Sequence, residues 1–104
     1  MKYQLLTAIF SEEIKDDVVD ALIALEDISG FSMSTTDGYS RRHSQYDVRE
    51  QVAGYRRLCR VEVVHLEAQE TALLATLETL CTACHIRYWL TALAGAGQLG
   101  SEPA

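Results

Sequence analysis

The sequence predicts an α+β domain with elements in the order β-α-β-β-α-β. Alternating apolar and polar residues mark strands at 2–9, 31–39, 58–66 and 85–93, and apolar residues at helical spacing mark two helices between them. With 104 residues, 48% hydrophobic and 23% charged, the chain has room for one core and is too rich in Leu, Val and Ile to stay unfolded. A domain this small buries about 60 to 65% of the surface its unfolded chain exposes, so self-association is expected.

The first strand sets Tyr3, Leu5, Thr7 and Ile9 on one side, and its β-branched and aromatic residues suit a pleated surface. Ser11 follows as a helix N-cap. Glu12 and Glu13 fall in the first turn, where the helix dipole favours acid, and Ile14, Val18, Ala21, Leu22 and Leu25 recur at helical spacing. Lys15, Asp16 and Asp20 belong to the opposite, solvated face. Gly30 breaks the chain, after which Phe31, Met33 and Thr35 alternate with Ser32, Ser34 and Thr36. In the third strand Cys59, Val61, Val63 and His65 share one face, and Arg60, Glu62 and Val64 the other. Residues 67–84 read as the second helix, with Leu73, Leu74, Leu77, Leu80 and Cys81 as its buried stripe. The last strand puts Ile86, Tyr88 and Leu90 on one face, and 94–104 is expected to be a mobile, Gly-rich tail to the domain of 1–93.

This order of elements is that of the ferredoxin-like split motif, an antiparallel four-stranded sheet with both helices on one face. The other face is then uncovered. It is expected to carry Gln4, Leu6, Ser32, Ser34, Arg60, Glu62, Arg87 and Trp89. Arg60, Glu62, Arg87 and Trp89 are candidate interface residues, because a partner subunit would bury the indole and keep the charges paired.

Between the second and third strands, residues 40–55 show no apolar period. A connection of that length in a compact domain is usually functional. It also lies in the basic part of an acidic chain. Six of the nine basic residues fall in 41–60, where Asp47 and Glu50 reduce their charge to +4, so the rest of the chain carries −10 and the net is −6. Arginine offers a planar fork of donors to carboxylate or phosphate, and Tyr39, Arg41, Arg42, His43, Tyr46, Arg49, Tyr55, Arg56 and Arg57 are the candidate effector and partner residues of this loop, 39–55. Ser40 to Gln45 includes no apolar residue to pin it to a core, which predicts disorder without a ligand. Ordering about ten residues costs roughly 10 to 20 kcal/mol in backbone entropy, so an effector or partner has to supply the contacts.

Cys81-Thr82-Ala83-Cys84-His85 groups two thiols and an imidazole within five residues, a donor set for a soft cation such as zinc or copper. His43 and His65 are alternative donors, although no pair shows the i, i+4 spacing of a helical metal site. The same five residues match the pattern of c-type haem attachment, but they close a helix and open a strand, and haem attachment needs an export route. The odd cysteine count makes a disulfide framework an unsuitable reading and a reducing compartment a suitable one. No run of about 18 apolar residues is present, and Leu5 to Phe10 has no small-residue cleavage site behind it, which predicts a cytoplasmic chain. No nucleophile elbow or Gly-rich phosphate loop is found, so the expected protein is not an enzyme. An acidic body without spaced stacking aromatics argues against nucleic acid.

Several of these segments resemble the P-II signalling family over nearly the whole chain. Thr7-Ala8-Ile9 resembles its opening strand, Val18-Val19-Asp20-Ala21-Leu22 its first helix, and Gly30-Phe31-Ser32-Met33 the entry to its second strand. Gly38-Tyr39-Ser40-Arg41 resembles the step into the family's long T-loop, and Cys59-Arg60-Val61-Glu62-Val63-Val64 the strand that follows it. Val48-Arg49-Glu50-Gln51-Val52-Ala53-Gly54-Tyr55-Arg56-Arg57 and Ile86-Arg87-Tyr88-Trp89-Leu90 are similar to a P-II-like family of unknown function whose members accompany bacterial heavy-metal efflux pumps. The resemblance implies a homotrimeric regulator that binds a small effector at subunit clefts and docks on a partner such as a membrane transporter. P-II proteins hold ATP or ADP with a Gly-Asp-Gly-Lys loop before the last strand. Here that stretch is Thr82-Ala83-Cys84-His85, with no glycine for close backbone approach and no lysine to neutralise phosphate, which speaks against a nucleotide and leaves a metal ion as the cofactor to consider.

Overall fold

The computed structural model describes residues 2–39, 56–82 and 84–100. Strand β1 (Tyr3–Ser11) runs through a 3-10 turn, Glu12–Ile14, into helix α1 (Lys15–Ala24). Strands β2 (Ser32–Gly38) and β3 (Arg56–Leu66) follow, and a second 3-10 turn, Glu67–Gln69, leads into α2 (Glu70–Glu78) and strand β4 (Arg87–Leu93). The sheet is antiparallel throughout, in the order β2-β3-β1-β4. This is the expected ferredoxin-like α+β fold. The expected loop residues Arg41, Arg42, His43, Tyr46, Arg49 and Tyr55 lie outside the described residues, as do 101–104 of the tail.

Ser11 caps its turn as its chemistry predicts, its Oγ accepting from the Glu13 N–H at 3.3 Å. Val18 and Leu22 of α1 and Leu73 and Leu77 of α2 are buried against Leu6, Ala8, Phe10, Cys59, Val61 and Val63 of the central strands, with Ile14, Leu25, Met33, Leu74, Leu80, Ile86 and Leu90 packed around them. Phe10 alone, 1% exposed, contributes about 2 to 3 kcal/mol by burial. The turn between β3 and α2 is tied down from two sides. The Glu67 N–H donates to the Lys2 carbonyl (2.8 Å), and Gln69 accepts from the Leu66 N–H (2.8 Å) while its amide donates to the Asp27 carbonyl.

Two expectations are corrected. Gln4 and Leu6 face the helices, not the open side: Leu6 pairs with Val63 and Leu90, and Gln4 with His65, all on the helix-covered face. The open face of β1 is Tyr3, Leu5, Thr7 and Ile9, and Thr7, between Glu62 and Trp89, is itself buried. The strand is hydrophobic on both sides, so its polarity pattern does not reveal which side meets the helices. The second helix also ends earlier than 84. Thr76 and Thr79 turn their hydroxyls back onto the carbonyls of Ala72 (2.9 Å) and Thr76 (2.7 Å), and the chain closes in tighter turns, Leu80 N–H to Leu77 and Cys81 N–H to Glu78, each 3.0 Å.

Candidate functional site

Among the described residues, two regions bring chemistry-bearing side chains together. The first is the uncovered sheet face. Register sets Arg87, Ile9, Arg60 and Ser34 in one row across the four strands, and Trp89, Thr7, Glu62 and Ser32 in the next. All four predicted interface residues therefore share this face. Arg60 Nη2 lies 3.5 Å from Glu62 Oε2, and the Arg87 guanidinium sits over the Trp89 ring at 5.5 Å from its centroid. Trp89 is 40% exposed and Val64 43%, which leaves an aromatic and aliphatic patch framed by charges open to solvent on the single chain.

At the β2–β3 end of the sheet, the ladder closes on Gly38 opposite Arg56, after Asp37 opposite Arg57. These two arginines and Tyr39 therefore stand where residues 40–55 leave and rejoin the sheet. Tyr39 is 75% exposed and Arg57 is exposed, whereas Arg56 is half-buried.

The second region is the passage from α2 to β4. An open depression of about 480 Å³ is lined by Glu78, Cys81, Thr82, Cys84, His85 and Ile86. A smaller apolar hollow of about 110 Å³, lined by Leu74, Leu77 and Tyr88 together with Glu78, Cys81 and Ile86, continues it toward the core. The three predicted metal donors, Cys81, Cys84 and His85, thus share one depression, and Glu78 joins them. The sequence carried a signal for Glu78, its three-residue spacing before Cys81, which only the tightened turn at the end of α2 makes effective. The thiols donate to the carbonyls of Leu77 (Cys81, 3.6 Å) and Leu80 (Cys84, 3.3 Å), and among the described residues no three His, Cys, Asp or Glu side chains stand in a metal-holding arrangement. Burial pushes the Cys81 thiol above its ordinary value, Cys84 and Glu78 push the same way, and the Ile86 N–H donates to its sulfur and draws it back. All three cysteines are free thiols, with Cys59 1% exposed in the core.

His65 belongs to neither region. It is 2% exposed, its Nδ1–H donates to the Val63 carbonyl (3.1 Å), and its Nε2 meets the side-chain amide of Gln4 (3.1 Å), so both ring nitrogens are engaged within the core.

Residues 1–100 match the family described as "Protein of unknown function (DUF3240)". The chain belongs to the DUF3240 family. A DUF3240 protein of Shewanella baltica OS155 shares 39% identity with it, covering 96% of this chain and 99% of that one, with a TM-score of 0.81. The nitrogen regulatory PII-like protein CPII of Thiomonas intermedia K12, solved with ADP, AMP and bicarbonate, is similar in fold at 13% identity, covering 95% and 98% of the two chains with a TM-score of 0.70. A putative PII-like signalling protein of Thermus thermophilus is similar at 15% identity, 89% and 88% coverage and a TM-score of 0.64. No curated protein matches the chain. The DUF3240 fold here is thus the PII-like one, and no helix among the described residues is long and apolar enough to cross a membrane.

Proposed function

We propose that this DUF3240 chain is a non-catalytic cytoplasmic regulator of the PII-like kind, a homotrimer that takes a small effector at its subunit clefts and meets a partner through residues 39–55. The observation that carries the reading is the open sheet face of a PII-like fold, where half-exposed Trp89 lies beneath Arg87 and across Thr7 from the Arg60–Glu62 pair. Self-association removes that indole from water and encloses charges that already have partners. Arg56 and Arg57 at the base of the loop supply charge for an anionic effector or an acidic partner surface. A membrane transporter, specifically a metal-efflux pump, is the partner that the sequence resemblance supports.

CPII is bound to ADP, AMP and bicarbonate. In this chain, Thr82, Cys84 and His85 stand where a phosphate-binding loop would carry glycine and lysine, so bicarbonate or a similarly small anion fits better than a nucleotide. The test is calorimetric titration of the purified protein with ADP, AMP and bicarbonate, beside light scattering to weigh the particle. Binding of at least one by an oligomer is expected, and Trp89→Glu is expected to yield folded monomers. A folded monomeric wild type, or an oligomer that binds none at millimolar concentration, defeats the effector-sensing reading.

A further inference from the structure

We propose that the depression between α2 and β4 is a binding site for a four-coordinate divalent cation of the zinc and cadmium class, held by Cys81, Cys84, His85 and Glu78. The set is two sulfurs, one imidazole nitrogen and one carboxylate oxygen, which is the number and the kind of donors that a tetrahedral site takes. Softness selects the ion, since thiolates disfavour magnesium and calcium, while the carboxylate makes the set less suited to cuprous ion.

Local geometry brings the four to the rim of one depression. The hydrogen bond from the Cys81 N–H to the Glu78 carbonyl (3.0 Å) closes a three-residue turn, and in such a turn side chains three apart lie over one another. The Cys84 thiol folds back to the Leu80 carbonyl, and the Cys81 thiol to that of Leu77, whose oxygen also accepts from the Leu80 N–H. Both sulfurs are therefore held within one turn of each other, at the carbonyl end of a helix, where the backbone dipole favours positive charge. The Ile86 N–H donates to the Cys81 sulfur, a contact that supports a metal-bound thiolate by the same logic that outer hydrogen bonds orient other ligands. As the chain stands the four groups line the depression without converging, and the ion draws the two thiols away from their weak carbonyl bonds. Closing the site would tie the end of α2 to the start of β4 and fill the mouth of the apolar hollow that reaches toward Leu74 and Leu77.

This site shares Cys84 and His85 with the stretch that replaces the phosphate-binding loop, but its ligand is a cation and its donors come from one chain, so the anion titration and the experiment that follows fail independently. Reduced full-length protein is titrated with cadmium chloride, and separately with zinc chloride, under anaerobic conditions. One ion per chain is expected, with a sulfur-to-cadmium charge-transfer band and a cadmium NMR shift in the range of mixed sulfur ligation. Cys81→Ser with Cys84→Ser should abolish binding, Glu78→Gln and His85→Gln should each weaken it by about 10- to 100-fold, and Cys59→Ala should leave it intact. Circular dichroism verifies that each variant is folded, and the cadmium NMR shift of the wild type carries the test should the double variant unfold. Failure of the wild type to bind either ion, a shift typical of oxygen and nitrogen ligands alone, or unchanged affinity in the folded double variant overturns the site. Unchanged affinity in Glu78→Gln overturns the four-donor assignment.

Discussion

Gly38 shows why a single position can matter without any unusual backbone. Its φ is not positive, yet a Cβ there would press into the Leu58 side chain, with Leu58 Cγ at 3.2 Å and the Arg56 carbonyl oxygen at 3.5 Å. Gly38→Ala is expected to destabilise the fold by about 1 kcal/mol in urea unfolding, since the end of the Leu58 side chain has to turn aside, and less in a Leu58→Ala background, because the second change removes the obstacle. Cys59 makes a second residue-level prediction. Burial pushes its thiol up, with Lys15 opposing and Glu12 adding slightly, so the folded chain holds the proton more firmly than the unfolded one. The resulting stability is fully present below the unfolded thiol's pKa of about 8.5 and is lost as pH rises through the higher folded value. Denaturant midpoints should fall across that alkaline window, and Cys59→Ala should flatten that part of the fall. Neither the obstacle at Gly38 nor the burial of Cys59 can be weighed from residue types alone, since both depend on which neighbour the register delivers.

At the scale of elements, much was legible. Ser11 and the two glutamates after it announced the start of the first helix, and alternation located all four strands to within about two residues at most ends, as sharp local chemistry allows. Ser11→Ala should therefore cost about 0.5 to 2 kcal/mol, measured by thermal or urea unfolding, whereas Ser11→Asp should retain most of the stability. Where the reading failed, the cause was an ambiguous period. β1 is apolar on both sides, with Leu5 beside Leu6 and Ala8 beside Ile9, so the strand was recognised while its orientation was not. α2 stopped short of 84: its last ordinary helical bond is from Thr79 N–H to the Ala75 carbonyl, and Leu80 and Cys81 then close in three-residue turns, a change that apolar spacing does not mark. That same early stop creates the depression at Glu78, Cys81, Cys84 and His85. The cysteines were visible as a spacing, but their carboxylate neighbour emerged only from the turn.

For the whole molecule, the roles proposed for the sheet and for the segment 40–55 are separable by experiment. The Arg60–Glu62 pair, with side chains 45% and 37% exposed, adds at most about 1 kcal/mol to the isolated chain, in keeping with the association proposed above. The proposed reading gives the connection between β2 and β3 no part in either chain stability or association. Pairing ends on Gly38 opposite Arg56, and residues opposite one another in an antiparallel ladder stand only about 4.5 to 5.5 Å apart. Removing 41–53 would leave Tyr39, Ser40, Gly54 and Tyr55 between those two positions, a length that hairpins commonly use. The core residues described for β1, β3, α1 and α2 all lie outside the deleted stretch. The shortened chain is expected to unfold within about 1 kcal/mol of the full chain, because loop-closure entropy changes only slowly with length. It should also sediment as the same oligomer while losing partner capture. Loss of the fold or dissociation of the oligomer would make 41–53 a structural element, and retained partner binding would move the docking surface to the sheet or to the α2–β4 depression.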